Sequence, residues 1–86
     1  MFYSKEFTWF PYPDFKPVYN KKQFLITNDK GFLYICTWIE NLSEFDDYNF
    51  PSLNRGGWVY LDSDEGWIED KNVIAWSYLP EPYKPI

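Results

Sequence analysis

The alternation of apolar and polar positions is clearest between residues 22 and 39. Gln23-Phe24-Leu25-Ile26-Thr27 and Phe32-Leu33-Tyr34-Ile35-Cys36-Thr37-Trp38-Ile39 are β-branched and aromatic runs, separated by Asn28-Asp29-Lys30-Gly31. Two such runs around a tight polar turn ending in glycine predict a β-hairpin, with Gly31 at positive φ. In its second arm, strict alternation sends Phe32, Tyr34, Cys36 and Trp38 one way and Leu33, Ile35, Thr37 and Ile39 the other. Both faces are apolar. One can lie on the core; the other is expected to need a cover, from the proline-rich ends, a helix or a second subunit.

Beyond the hairpin the pattern weakens, then returns. Residues 40–55 are polar and acidic, and Glu44-Phe45-Asp46-Asp47-Tyr48 predicts at most one short helix, at about 41–48, before Pro51. Asn54-Arg55-Gly56-Gly57 reads as a turn and Trp58-Val59-Tyr60-Leu61 as a strand. Asp62-Ser63-Asp64-Glu65-Gly66 is a second turn, Trp67-Ile68 a short return strand, Asp70-Lys71-Asn72 a third turn and Val73-Ile74-Ala75-Trp76 a final strand. Upstream, Pro11, Pro13 and Pro17 exclude a helix or a central strand, leaving a short strand over Phe7 to Phe10. The tail from Leu79 to Ile86 carries three prolines in an extended stretch. The fold class expected is mainly β: one small domain over residues 1–86, an antiparallel meander of four to six strands with a central hairpin at about 22–39 and extended proline-rich ends.

Composition makes this a packed chain. Aromatic residues make up 24 % of the 86 positions, with five Trp, eight Tyr and eight Phe. Disordered chains lack the large apolar side chains that offset ordering entropy, so this chain folds. There is no histidine, so the usual near-neutral base and commonest metal ligand are missing. The single cysteine, Cys36, cannot form an intrachain disulfide or a cysteine-cluster zinc site, and a packed thiol fits a cytoplasmic setting. No secretory leader is apparent at Met1 to Glu6, and the longest apolar stretch, Phe32 to Ile39, is far short of the roughly 20 residues that cross a bilayer. The expectations are no enzyme activity, no cofactor, no metal and no membrane.

Charge is uneven. Residues 40–70 hold nine acids against Arg55 alone, a balance of −8 within a chain of net charge −5. Direct nucleic-acid binding is therefore disfavoured. Such a surface suits a partner with a basic face, because complementary fields speed encounter and select partners. Trp38, Trp58 and Trp67 are the candidate anchors and Asp46, Asp47, Asp62, Asp64 and Glu65 the candidate charges, since Trp dominates interface hot spots. A second constellation, Arg55 and Trp58 with Lys21, Lys22 and Lys71, would suit a nucleotide-type ligand held by rings and cations. The Asp62 loop is not an EF-hand: its sixth and twelfth places are Trp67 and Val73, where glycine and an acid are needed.

Val73-Ile74-Ala75-Trp76-Ser77-Tyr78-Leu79-Pro80-Glu81-Pro82 resembles the closing signature of the phage- and prophage-associated domain-of-unknown-function family 551. The hairpin segment Phe24 to Phe32 is similar to that family's Tyr-Leu-Val-x-Thr-x-x-Gly-x pattern, and Trp9, Pro11 and Pro13 to its opening. Residues 40–57 stand as an insertion. The resemblance implies a small β-rich fold and a viral accessory role without an assigned reaction. The function expected is stoichiometric binding of a host protein in counter-defence, the acidic face masking a basic surface. The alternatives are a non-enzymatic trap for a nucleotide-type signal and an assembly subunit forming a homodimer.

Overall fold

The computed structural model describes residues 8–45, 50 and 52–80. Six strands form one open antiparallel sheet: β1 (Phe10–Pro11), β2 (Lys22–Asn28), β3 (Leu33–Ile39), β4 (Gly57–Asp62), β5 (Gly66–Asp70) and β6 (Val73–Ser77). Their spatial order is β1-β6-β2-β3-β4-β5. The chain is mainly β, as its alternation predicts, and β2 to β5 form a meander. The one helical element among the described residues is a 3₁₀ turn at Leu42–Glu44, capped by Asn41, whose side chain accepts from Ser43 N–H. It lies inside the expected short helix at 41–48, whose later positions fall outside the described residues. The N-terminal strand, expected over Phe7 to Phe10, is Phe10–Pro11: Phe7 lies outside the described residues, Thr8 and Trp9 are not in a strand, and pairing runs into Pro11 because the strand is on the sheet edge, where a proline is tolerated.

The hairpin forms with Phe24 opposite Cys36 and Ile26 opposite Tyr34, and Gly31 has φ 79°. Asn28 organises the turn: its Oδ1 accepts from the backbone N–H of both Lys30 and Phe32. Side-chain oxygens of this kind stand in for backbone acceptors and hold a tight turn closed.

The last connection decides the shape. Only Lys71 and Asn72 separate β5 from β6, which predicts a hairpin, yet β6 pairs with β2. In a flat sheet, β5 and β6 would lie four strand spacings apart, about 19 Å. The chain from Asp70 to Val73 reaches at most about 11 Å. The sheet must therefore coil until the end of β5 meets the top of the β2–β3 hairpin. Polar contacts fasten that meeting: Asp29 N–H donates to Asn72 O at 3.0 Å, and Tyr34 O–H and Asn28 Nδ2 both donate to the Asp70 carboxylate. The Asp70 carboxylate also accepts from Asn72 N–H at 2.8 Å.

Coiling creates an inner face. Phe24, Ile26, Cys36, Trp38, Trp58, Val73 and Trp76 are buried there, with Phe10, Tyr12, Tyr34 and Tyr60 packed against them. The rings meet mainly edge to face, as between Phe24 and Trp58 or Tyr12 and Trp38. Trp76 also donates its indole N–H to Phe15 O, tying the proline-rich N-terminal stretch to the core. A smaller cluster of Ile39, Leu42, Phe50 and Val59 lies on the outer face, flanked by Phe45, Leu53 and Trp67. The outer face is thus covered at one end by Leu42, Phe45, Phe50 and Leu53. The expected full cover is not met among the described residues, where Leu33 and Ile35 remain exposed.

Candidate functional site

Three surfaces carry the residues that the sequence singles out. The first is the acidic β4–β5 turn. Asp62 closes it, its Oδ1 accepting from Asp64 N–H and Glu65 N–H at 2.8 and 3.1 Å. That leaves the Asp64 and Glu65 side chains exposed at the tip. Immediately before it, Leu61 is 66 % exposed. Trp67 on the return strand is half-buried and packs edge-on against Phe45, with ring centroids 5.1 Å apart.

Two of the proposed anchors require correction. Trp38 and Trp58 are 3 % and 1 % exposed and sit at the centre of the inner cluster, so neither is available to a partner in this fold. They face each other directly across β3 and β4. The reason is parity. Both occupy the face that coiling turns inward, and a run apolar on both sides does not say which side that will be. Asp46 and Asp47 lie outside the described residues.

The second surface is the ring-and-cation constellation. Arg55, Trp58 and Lys71 do come together, around a 170 Å³ recess that Tyr12, Glu69 and Asp70 also line. Lys21 and Lys22 are not among its lining residues. Arg55, however, is already engaged: its guanidinium holds the Glu69 carboxylate through two bonds of 2.5 and 3.0 Å and donates to Gly56 O. That two-pronged contact raises the Arg55 pKa. Glu69 is nearly buried while Arg55 is half-exposed, so the arginine serves first to neutralise an interior acid. Tyr12 beside them has a raised pKa, chiefly from burial. Lys22 instead lays its ammonium over the rings of Tyr19, Phe24 and Tyr78, at 4.7 to 5.8 Å from their centroids. Lys21, with φ 61°, sits where the chain kinks into β2.

A wider groove of 480 Å³ lies where the two fastened turns meet, lined by Asn28, Lys30, Phe32, Tyr34, Tyr60, Glu69, Asp70, Lys71 and Asn72. The sequence reading missed it. Its walls come from turns that only coiling brings together. Its lining carries Lys30 and Lys71 beside Asp70, while the Glu69 carboxylate in the same wall is already held by Arg55.

The third surface is the open part of the outer face. Leu33 and Ile35 are 61 % and 47 % exposed, and Leu25 opposite Ile35 is half-buried. The signal for it was present in the sequence as the second apolar face of β3. Cys36 belongs to the inner face and is buried, which pushes its thiol pKa up to about 12. A thiol so held stays protonated and is no nucleophile at neutral pH. Among the described residues no group of three or more acids or thiols could hold a metal ion, and no helix is long and apolar enough to cross a membrane. Compared with known proteins, the chain matches no family model, no curated protein and no solved structure.

Proposed function

We propose that the protein is a stoichiometric binder of another protein, presenting an acidic turn beside uncovered aliphatic side chains to a partner with a basic rim. The observation that carries this reading is the junction at Leu61–Asp62. A side chain 66 % exposed runs straight into a turn whose Asp64 and Glu65 carboxylates point into solvent. Leu33 and Ile35 extend the same uncovered apolar character onto β3. Apolar contact supplies affinity and the fixed negative rim supplies partner choice and speed of encounter. The viral accessory setting implied by the Leu79-Pro80-Glu81-Pro82 resemblance makes a host protein the natural partner, with counter-defence as the outcome.

A nucleotide trap is less well supported, because Arg55 is committed to Glu69 and the larger groove places the Asp70 carboxylate beside its lysines. The test is affinity purification from the natural host, at low salt and again at high salt, with the wild-type chain and an Asp64→Lys, Glu65→Lys variant. Both substituted side chains are exposed, so folding is expected to be unchanged. The reading expects one dominant host protein, retained at low salt and lost in the variant. Capture indifferent to charge reversal would remove it.

A further inference from the structure

The pairing of β3 changes halfway along its length. Asn28 N–H donates to Phe32 O, so the antiparallel ladder turns the backbone groups of Tyr34 and Cys36 toward β2. Those of Leu33, Ile35 and Thr37 then point away from β2, toward β4. Thr37 is met there by Val59, and Ile39 by Gly57. Leu33 and Ile35 are met by nothing among the described residues: β4 parts from β3 beyond Val59 and continues with β5 alone. Had the register continued, Leu61 would face Ile35. Instead the ladder ends at Val59, with the Tyr34 and Tyr60 rings still in contact on the inner face, and all three side chains are exposed.

An open strand edge is a template for another strand, and proteins normally blunt such edges with lysine, proline or a bulge. From Phe32 to Ile39 there is no charged residue and no proline. We infer that the free edge of β3 at Leu33 and Ile35 takes an added strand from the partner, an extended apolar segment with basic residues at the end that meets Asp62, Asp64 and Glu65. This rests on the protein-binding reading above and specifies its mode. Main-chain hydrogen bonds to Leu33 and Ile35 supply the pairing, and the partner's alternate side chains cover Leu33, Ile35 and Leu61. The acids select against a second copy of this chain. A two-fold pairing through the same edge would bring two acidic turns to one seam, and like charges there oppose association.

Hydrogen exchange resolved by amide tests the inference with the intact chain. In the free protein, Leu33 and Ile35 are expected to exchange freely while Tyr34 and Cys36, which alternate with them, are protected. The probe is a synthetic peptide, acetyl-Val-Thr-Val-Thr-Val-Lys-Lys-amide, in excess. It should slow exchange at Leu33 and Ile35 by about tenfold at an excess of about ten times its Kd, and its Glu-Glu counterpart should not. Ile35→Lys, which places a charge on the edge, should abolish the effect while its unfolding transition stays near wild type. The inference is overturned if Leu33 and Ile35 are already protected in the free chain, if the Lys peptide leaves them unchanged, or if both peptides act alike. A peptide failure alongside charge-dependent capture of a host protein would discard strand addition and leave the acidic-surface reading standing. The converse would discard the acidic-surface reading instead.

Discussion

The two faces of β3 are made of similar material and meet different fates. On the inner face, Cys36 and Trp38 are buried among Phe24, Trp58 and Trp76. On the outer face, Ile39 is buried with Leu42 and Val59, but Leu33 and Ile35, on the same side of the same strand, are exposed. The difference does not lie in hydrophobicity. It lies in what the rest of the chain places opposite each position: coiling closes the inner face on itself, whereas on the outer face Leu42, Phe45, Phe50 and Leu53 pack around Ile39 and no described residue covers Ile35. Apolar surface left in water in this way is the feature on which the proposed binding reading rests.

Substitutions can break that comparison at graded depth. Trp58→Ala removes the largest fully buried side chain, and should cost about 3–5 kcal/mol, seen as loss or near-loss of the cooperative denaturant transition. If the covered end of the outer face is true core, Leu42→Ala should cost about 2–4 kcal/mol in the same measurement. A cost near zero would put Leu42 with the open half instead.

A pH-dependent loss is expected in alkali. Burial raises the Cys36 pKa from near 9.0 to about 12, so the folded chain holds a proton that the unfolded chain releases. Stability should be constant below about pH 8.5, then decline as pH rises toward 12, by at most about 1.4 kcal/mol per pH unit. Tyr12, raised chiefly by burial, contributes with the same sign. Cys36→Ala should flatten the Cys36 share of the decline in melts repeated across that range. The smallest effect belongs to the open half: Ile35→Thr should alter stability by no more than about 0.5 kcal/mol. Its consequence should appear in partner capture, and a large stability loss would mean that Ile35 is covered after all.

The candidate site residues were unevenly legible. The acidic turn was readable because Asp62, Asp64 and Glu65 sit between two strand signals, and turn acids have little choice but solvent. The tryptophan anchors were not. Trp38, Trp58 and Trp67 look alike in a sequence, yet parity puts the first two inside and only Trp67 at the half-buried margin. The groove between Lys30 and Lys71 was invisible because its walls are remote in the chain and are brought together by the bonds of Asp29 to Asn72 and of Tyr34 and Asn28 to Asp70.

By itself, the amino-acid order determined the strands, the hairpin, the left-handed glycine at its turn and the mainly β class. Those follow from a period of two and from turn chemistry, both of which act over a few residues. Tertiary structure alone decided that β6 leaves β5 to pair with β2, that the sheet therefore coils, and that one apolar flank closes while the other stays partly open. Where both sides of a strand are greasy, alternation carries no instruction about which side is inward. Only the long-range geometry of a two-residue link, too short for a flat sheet, settles it.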